Sequence, residues 1–185
     1  MTDRVRLRPA HDSAALARIY AKPHNHTAWH DHKLRVALTA QFAHQLTGKV
    51  DTGADLSCGD GTILSSLDVG TRYFGDFAPG YPLTGPIDET IELIPAVDLF
   101  VCCETIEHLD DPDLTLKAIR GKAKALVLST PVDAWQDHNP EHYWAFSRQG
   151  VEDMLTAAGF TVVAYAAIDC RPGGGEYQFG VWFAR

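Results

Sequence analysis

The pattern of apolar and polar positions changes at about residue 48. Before it the spacing is helical. Asp12 to Lys22 reads as a short helix, and Leu34, Leu38, Phe42 and Leu46 give one apolar face to a longer helix from Trp29 to Thr47, which Gly48 stops. After it, short apolar runs alternate with helical stretches. Strands are predicted at 53–58, 71–76, 88–94, 97–103, 124–129, 160–168 and 177–183, with helices at 112–120 and 148–158. Val97 to Cys103 is apolar almost throughout, as in a strand that a parallel sheet buries on both faces. The last two strands, joined by the glycine turn Pro172 to Gly175, read as an antiparallel hairpin. The alternation implies an α/β sandwich. One link is unusual: Pro79 to Pro86 is too rich in proline and glycine for a helix, so the crossover after the second strand is expected to be a loop.

Three segments at predicted strand ends carry chemistry. Ala54 to Thr62 holds an acid, an apolar strand end and a turn with Gly59 and Gly61. Glycine lets the backbone turn with positive φ and brings main chain close to a ligand, and helix-start amides favour a carboxylate. A dinucleotide fingerprint would want a third glycine where Leu64 stands. The second segment, Tyr73 to Pro79, ends in Gly75 and Asp76; a carboxylate accepts two hydroxyl hydrogen bonds and donates none. The third runs from the 97–103 strand into Glu104, Thr105, Ile106, Glu107, His108 and Leu109. Carboxyl ends of strands are where open α/β sheets place ligands.

Together these segments resemble the cofactor half of the class I S-adenosylmethionine (SAM) methyltransferases, whose first motif has the glycine turn and whose fourth strand ends in an E-x-x-E-H-L motif. The resemblance implies a Rossmann-like sandwich with a mostly parallel seven-stranded sheet, its last strand antiparallel, in a single domain: residues 1–48 as a helical lid and 49–185 as the core. It implies that SAM is held by Asp55, Ser57, Cys58, Gly59 and Gly61, with Asp76 on the ribose, Phe77 beside the adenine, Asp88 near the adenine amine, and Glu104 at the end of the fourth strand. It further implies methyl transfer to an oxygen or nitrogen acceptor.

How the acceptor is activated stays open. Glu104, Glu107, His108 and His142 are similar to the ligands that bind magnesium or manganese in the small-RNA 3′-terminal 2′-O-methyltransferases, where the ion lowers the acceptor's pKa. They are equally similar to the ubiquinone-type O-methyltransferases, in which His108 or His142 would serve as general base beside Glu104. A purely structural role for Glu107 and His108 at the strand end is the third reading. His24, His26, His30 and His32 with Asp31 fit no zinc spacing, and Trp29 and His26 are expected to line an acceptor pocket. The aromatic stretch Val132 to Phe146, with Trp135, Tyr143, Trp144 and Phe146, reads either as an acceptor wall or as a satellite core.

Composition narrows the substrate. With 185 residues, 45% of them hydrophobic, the chain has material for one core. A formal charge of −8 repels a phosphate backbone, and Arg4, Arg6, Arg8 and Arg18 near the start read as a disordered or solvated basic end. A small-molecule or carrier-bound acceptor is therefore preferred to a nucleic acid. There is no membrane-length apolar run and no signal-type apolar region, so a cytoplasmic monomer or homodimer is expected. Cys58, Cys102, Cys103 and Cys170 lack framework spacing and read as reduced core thiols. Two other classes remain: a catalytically silent SAM-binding scaffold, and a nucleotide-binding reductase, for which the full fingerprint is missing.

Overall fold

The computed structural model describes residues 3–29 and 31–185. In chain order the elements are β1 (Arg4–Arg6), α1 (Ser13–Ile19), α2 (His32–Thr47), β2 (Val50–Asp55), α3 (Thr62–Ser65), β3 (Val69–Asp76), β4 (Leu83–Thr84), α4 (Ile87–Thr90), β5 (Val97–Cys103), α5 (Pro112–Lys122), β6 (Ala123–Val132), β7 (Trp144–Phe146), α6 (Arg148–Ala157), β8 (Val162–Asp169) and β9 (Gln178–Ala184). The main sheet has seven strands in the order β4-β3-β2-β5-β6-β9-β8. Strands β2 to β6 run parallel, and β9 is antiparallel to both β6 and β8. This is the Rossmann-like methyltransferase arrangement.

Period-2 alternation along β5 explains the two cores. Phe100 and Cys102 point into one core with Leu116 and Ile119 of α5 and Val151 and Leu155 of α6. Leu99, Val101 and Cys103 point into the other, with Val36 and Ala43 of α2 and Ile63 and Leu64 of α3. Each fully buried leucine or phenylalanine of this kind contributes about 1.5–3 kcal/mol. Local signals set the helix starts. The Asp111 side chain accepts from Leu114 N at 3.0 Å with Pro112 in the first turn of α5, and Ser147 accepts from Gly150 N at 3.0 Å at the start of α6.

Four expectations are corrected. The predicted strand at 88–94 is α4 followed by a 3-10 turn, Ile91–Leu93. Its buried residues Ile87, Thr90, Ile91 and Ile94 recur at i, i+3, i+4 and i+7, which is helical spacing. The sheet edge is filled instead by two-residue β4, inside the proline-rich stretch. On α2 the buried face is His32, Val36, Thr39, Ala40 and Ala43, whereas Leu34 and Leu38 are exposed; the small residues face the sheet because they allow close approach. Trp29 lies outside α2 and is exposed. The basic N-terminus is also ordered. β1 pairs antiparallel with β7; Arg4 meets Asp113 at 2.6 Å, Arg6 meets Asp110, and Arg8 donates to the Asp137 and Asn139 carbonyls. Arg4 and Arg6 both lie over the Trp144 ring. Among the described residues no helix is long and apolar enough to cross a membrane.

Candidate active site

Strand order reverses between β2 and β5: the chain builds outward through β3 and β4 on one side and through β6 on the other. Such a switch point opens a crevice at the strand carboxyl ends. A cleft of about 710 Å³ lies there. It is roofed by the segment from α1 to the start of α2 and closed at one end by residues 139–143 and 174–177.

The glycine turn is held before any ligand arrives. Gly59 and Gly61 have φ of 57° and 71°. The Asp76 carboxylate accepts from Gly59 N at 2.8 Å and from Ala78 N at 2.9 Å, so the end of β3 fixes the turn that follows β2. Tyr81 donates to the Gly59 carbonyl at 3.0 Å, and Cys58 N donates to the Gly75 carbonyl at 3.0 Å. A Cβ on Gly59 would stand 2.8 Å from the His26 ring, so the N-terminal roof rests directly on this turn. The helix behind it, α3, is only four residues long, which leaves little of the helix-start dipole expected for a carboxylate. Asp55 is 3% exposed, and burial pushes its carboxyl up to about 8 against the opposing Ser57 amide. Ser57 and Thr105 share a 2.6 Å hydroxyl contact between the first and fourth strand ends.

Phe77 lines the cleft with its ring 5.1 Å from that of Tyr20. Asp88 also lines it, but from α4 and not from a strand, and its Oδ1 accepts from Thr115 Oγ1 at 2.6 Å.

The fourth-strand end is strained. Glu104 has φ 54°, uncommon for a residue with a Cβ. The Ser129 hydroxyl donates to its carboxylate at 2.7 Å and Arg35 approaches to 3.7 Å; burial raises its pKa, with Arg35 opposing. Arg35 also reaches His32 Nδ1 at 3.3 Å, and His32 Nε2 lies 2.9 Å from Asp60. A polar chain therefore runs from the glycine turn through α2 to Glu104.

Three of the four expected ligands come together. One oxygen or ring nitrogen of each of Glu107, His108 and His142 falls within 4.8 Å of the others. Glu104 stands outside this group, engaged by Ser129 and Arg35. Glu107 is 1% exposed; Thr130 donates to its Oε2 at 2.9 Å, and Oε1 has no partner. Burial, reinforced by the Glu104 charge, pushes Glu107 up to about 8. His108 Nδ1 is likewise buried without a partner, and burial, with His142 beside it, lowers this imidazole to about 3. His142 goes the other way. Burial alone would lower it, but Asp137, 2.6 Å from Nδ1, and then Glu107 raise it. The Asp137 side chain is 2% exposed and also accepts from Tyr177 OH at 2.9 Å and Asn139 N at 2.8 Å.

Asp137, Tyr177 and Arg35 are the site residues that sequence reasoning missed. Asp137 had one local signal, its place two residues before Asn139 and five before His142, as in a side-chain-closed turn. The others are placed by tertiary packing. Of the aromatic stretch, Tyr143 lines the cleft, Phe146 is fully buried in the main core, Trp144 donates to the Leu109 carbonyl at 2.9 Å, and Trp135 is 38% exposed. His24, His26 and His32 line the cleft, and His30 lies outside the described residues. Among the described residues, Glu107, His108 and His142 are the cluster close enough to hold a metal.

No protein-family model and no curated protein matches the chain. Solved structures do. The chain is similar to 1,6-didemethyltoxoflavin-N1-methyltransferase of Burkholderia thailandensis, solved with S-adenosylhomocysteine, at 18% identity and a TM-score of 0.73 over 98% of this chain and 92% of that one. It is similar to the N-methyltransferase NodS of Bradyrhizobium japonicum, also with S-adenosylhomocysteine, at 16% identity and 0.68, over 93% and 96%. The [4+2]-cyclase SpnF matches at 12% identity and 0.68, over 96% and 97%. At these identities the likeness establishes the fold, and the cyclase shows that this fold is not confined to one reaction.

Proposed function

We propose that the chain is a SAM-dependent methyltransferase acting on an oxygen or nitrogen atom of a small-molecule or carrier-bound acceptor. The observation that carries this reading is the joining, in one switch-point cleft, of a pre-braced glycine turn, the Asp76 carboxylate and the Glu104–His142 wall. The solved relatives named as methyltransferases, two of them bound to S-adenosylhomocysteine, support it.

Asp76 retains acceptor capacity for the ribose hydroxyls beyond its two amides. Phe77 offers a ring face to the adenine, and Gly59 and Gly61 give main-chain access to the amino-acid end, beside Asp55, Ser57 and Cys58. Bound SAM supplies an electrophilic methyl group on a positively charged sulfur. The chain's contribution is mainly positioning in a cleft from which water is displaced. His108 presents a neutral, unpaired Nδ1 that accepts a proton from the acceptor, while Asp137 holds His142 in orientation; a nitrogen lowered this far is a weak base, so proton transfer contributes modestly. The four buried thiols suit a reducing, cytosolic setting.

A second reading is favoured by the two orphaned atoms. One oxygen or ring nitrogen of each of Glu107, His108 and His142 lies within 4.8 Å of the others, Glu107 Oε1 and His108 Nδ1 are without partners, and Asp137 stands behind His142, an N2O set that fits a divalent ion. Two imidazoles suit manganese better than magnesium. Such an ion would supply Lewis acidity to an acceptor oxygen.

Calorimetric titration of S-adenosylhomocysteine, with EDTA and then with manganese or magnesium, tests both. Micromolar binding in each condition is expected, and binding in none overturns the methyltransferase reading. Metal-dependent heat that Glu107→Gln abolishes would put the second reading first.

A further inference from the structure

The charge on the acceptor wall points to the kind of molecule methylated. We propose that the acceptor is a cationic amine, drawn in by carboxylates and aromatic rings, and not a phosphate- or carboxylate-bearing molecule; this rests on the methyltransferase reading above.

Beyond the residues assigned to the cofactor, the wall carries Asp31, Glu141 and Glu176, and Asp110, which is paired with Arg6. Among the described residues, the lining includes one lysine or arginine, Arg35, and it faces Glu104. Three of the four N-terminal arginines are consumed, Arg4 by Asp113, Arg6 by Asp110 and Arg8 by two backbone carbonyls, and the fourth, Arg18, is exposed and does not line the cleft. An anion entering here would meet the Asp31, Glu141 and Glu176 carboxylates in a partly desolvated cleft, whereas a cation would be attracted.

A second observation agrees. Glu141 is held in place by the Tyr20 hydroxyl at 3.0 Å, and Tyr20 stands edge-on to His24 with centroids 5.3 Å apart. Tyr143 and Tyr177 also face the cleft. Aromatic faces attract ammonium groups. At the end of β5, His108 Nδ1 is buried without a partner; in the tautomer that leaves it unprotonated it accepts an N–H, which an amine supplies and a phosphate oxygen does not.

The chemistry balances. The ammonium loses one proton to water, and the nitrogen lone pair then forms the new N–C bond. The C–S pair stays on sulfur, leaving a neutral thioether, and the second nitrogen proton passes to solvent.

The test uses full-length protein saturated with S-adenosylhomocysteine and matched probes on three scaffolds: phenethylamine, tryptamine and histamine, each against the carboxylate of the same skeleton. Binding is read by calorimetry or ligand-observed NMR at low and high salt. At least one amine is expected to bind about tenfold or more tighter than its carboxylate, with affinity falling as salt rises. E141Q combined with E176Q should remove most of that preference and leave S-adenosylhomocysteine affinity unchanged. A carboxylate that binds as well as its amine, no amine binding at millimolar concentration, or a preference untouched by the double variant would overturn the inference. Failure of S-adenosylhomocysteine itself to bind would instead sink the methyltransferase reading, so the two failures are distinguishable.

Discussion

The two halves of the cleft differ in how completely their polar groups are satisfied. Around the glycine turn, each Asp76 oxygen takes a backbone amide, and Tyr81 caps the Gly59 carbonyl. Around the fourth-strand end, Glu104 sits at positive φ, and Glu107 Oε1 and His108 Nδ1 are buried without partners. A buried polar group left unpaired costs about 1–3 kcal/mol. The first half is a preformed seat whose loop is shaped by its own hydrogen bonds. The second carries strain and open valences, the condition expected where a ligand, proton or ion completes the structure.

The largest effect should come from Asp137, which braces the unsatisfied half. Asp137→Ala removes the partner of His142, Tyr177 and the Asn139 amide at once. A loss of about 2–4 kcal/mol is expected in urea denaturation, with a fall of about 100-fold in turnover that Asp137→Asn restores only in part. Unchanged stability and turnover would show that the contrast between the halves has no energetic content.

Next is Asp76→Ala in the satisfied half. Loss of the proposed ribose contact and of the turn's brace should weaken S-adenosylhomocysteine binding by about 10- to 100-fold, read by calorimetry. Equal affinity would remove Asp76 from the site.

A smaller, pH-dependent effect belongs to Asp55. Its carboxyl is raised by burial from 3.8 to about 8, so the native chain keeps a proton that the unfolded chain surrenders at lower pH. Native protein then binds more protons than unfolded protein between those values, and Asp55's contribution to stability declines as pH rises through that window. Asp55→Asn should flatten the decline in denaturation midpoint; a parallel profile for both proteins would contradict it.

The smallest is Arg4→Ala. The Arg4–Asp113 pair is partly exposed and shares the Trp144 ring with Arg6, so about 0.5–1 kcal/mol is expected, with S-adenosylhomocysteine affinity unaltered. A drop in that affinity would tie the minor β1–β7 sheet to the cleft.

Much of this architecture is legible in the chain because its signals are local. Val97–Cys103 has its predicted bounds because a strand buried on both faces is apolar almost throughout, with Asp98 the partly exposed exception, and α5 and α6 are capped by the side-chain oxygens of Asp111 and Ser147. Glycine at 59 and 61 announces a turn that few other residues could make. The segment from Ile87 to Ile94 was misleading because its four buried positions fit a helix, while its β-branched residues suggest a strand. The leucines of α2 misled for another reason: which face packs is decided by how closely the helix approaches the sheet, and alanine, valine and threonine come closer.

The sequence by itself determined the order of the six long strands of the main sheet and of α5 and α6, the glycine turn and the acids that end the strands, since each depends on backbone preference or on burial repeated at a fixed period. Tertiary structure alone decided that Asp137 backs His142, that Glu104 turns to Arg35 and leaves the Glu107–His108–His142 group, and that Arg4, Arg6 and Arg8 are spent on Asp113, Asp110 and two carbonyls. Those choices depend on distances between segments up to 131 residues apart in sequence. The energy of a polar contact depends on which partner arrives and how much water is excluded, and no spacing along the chain encodes either.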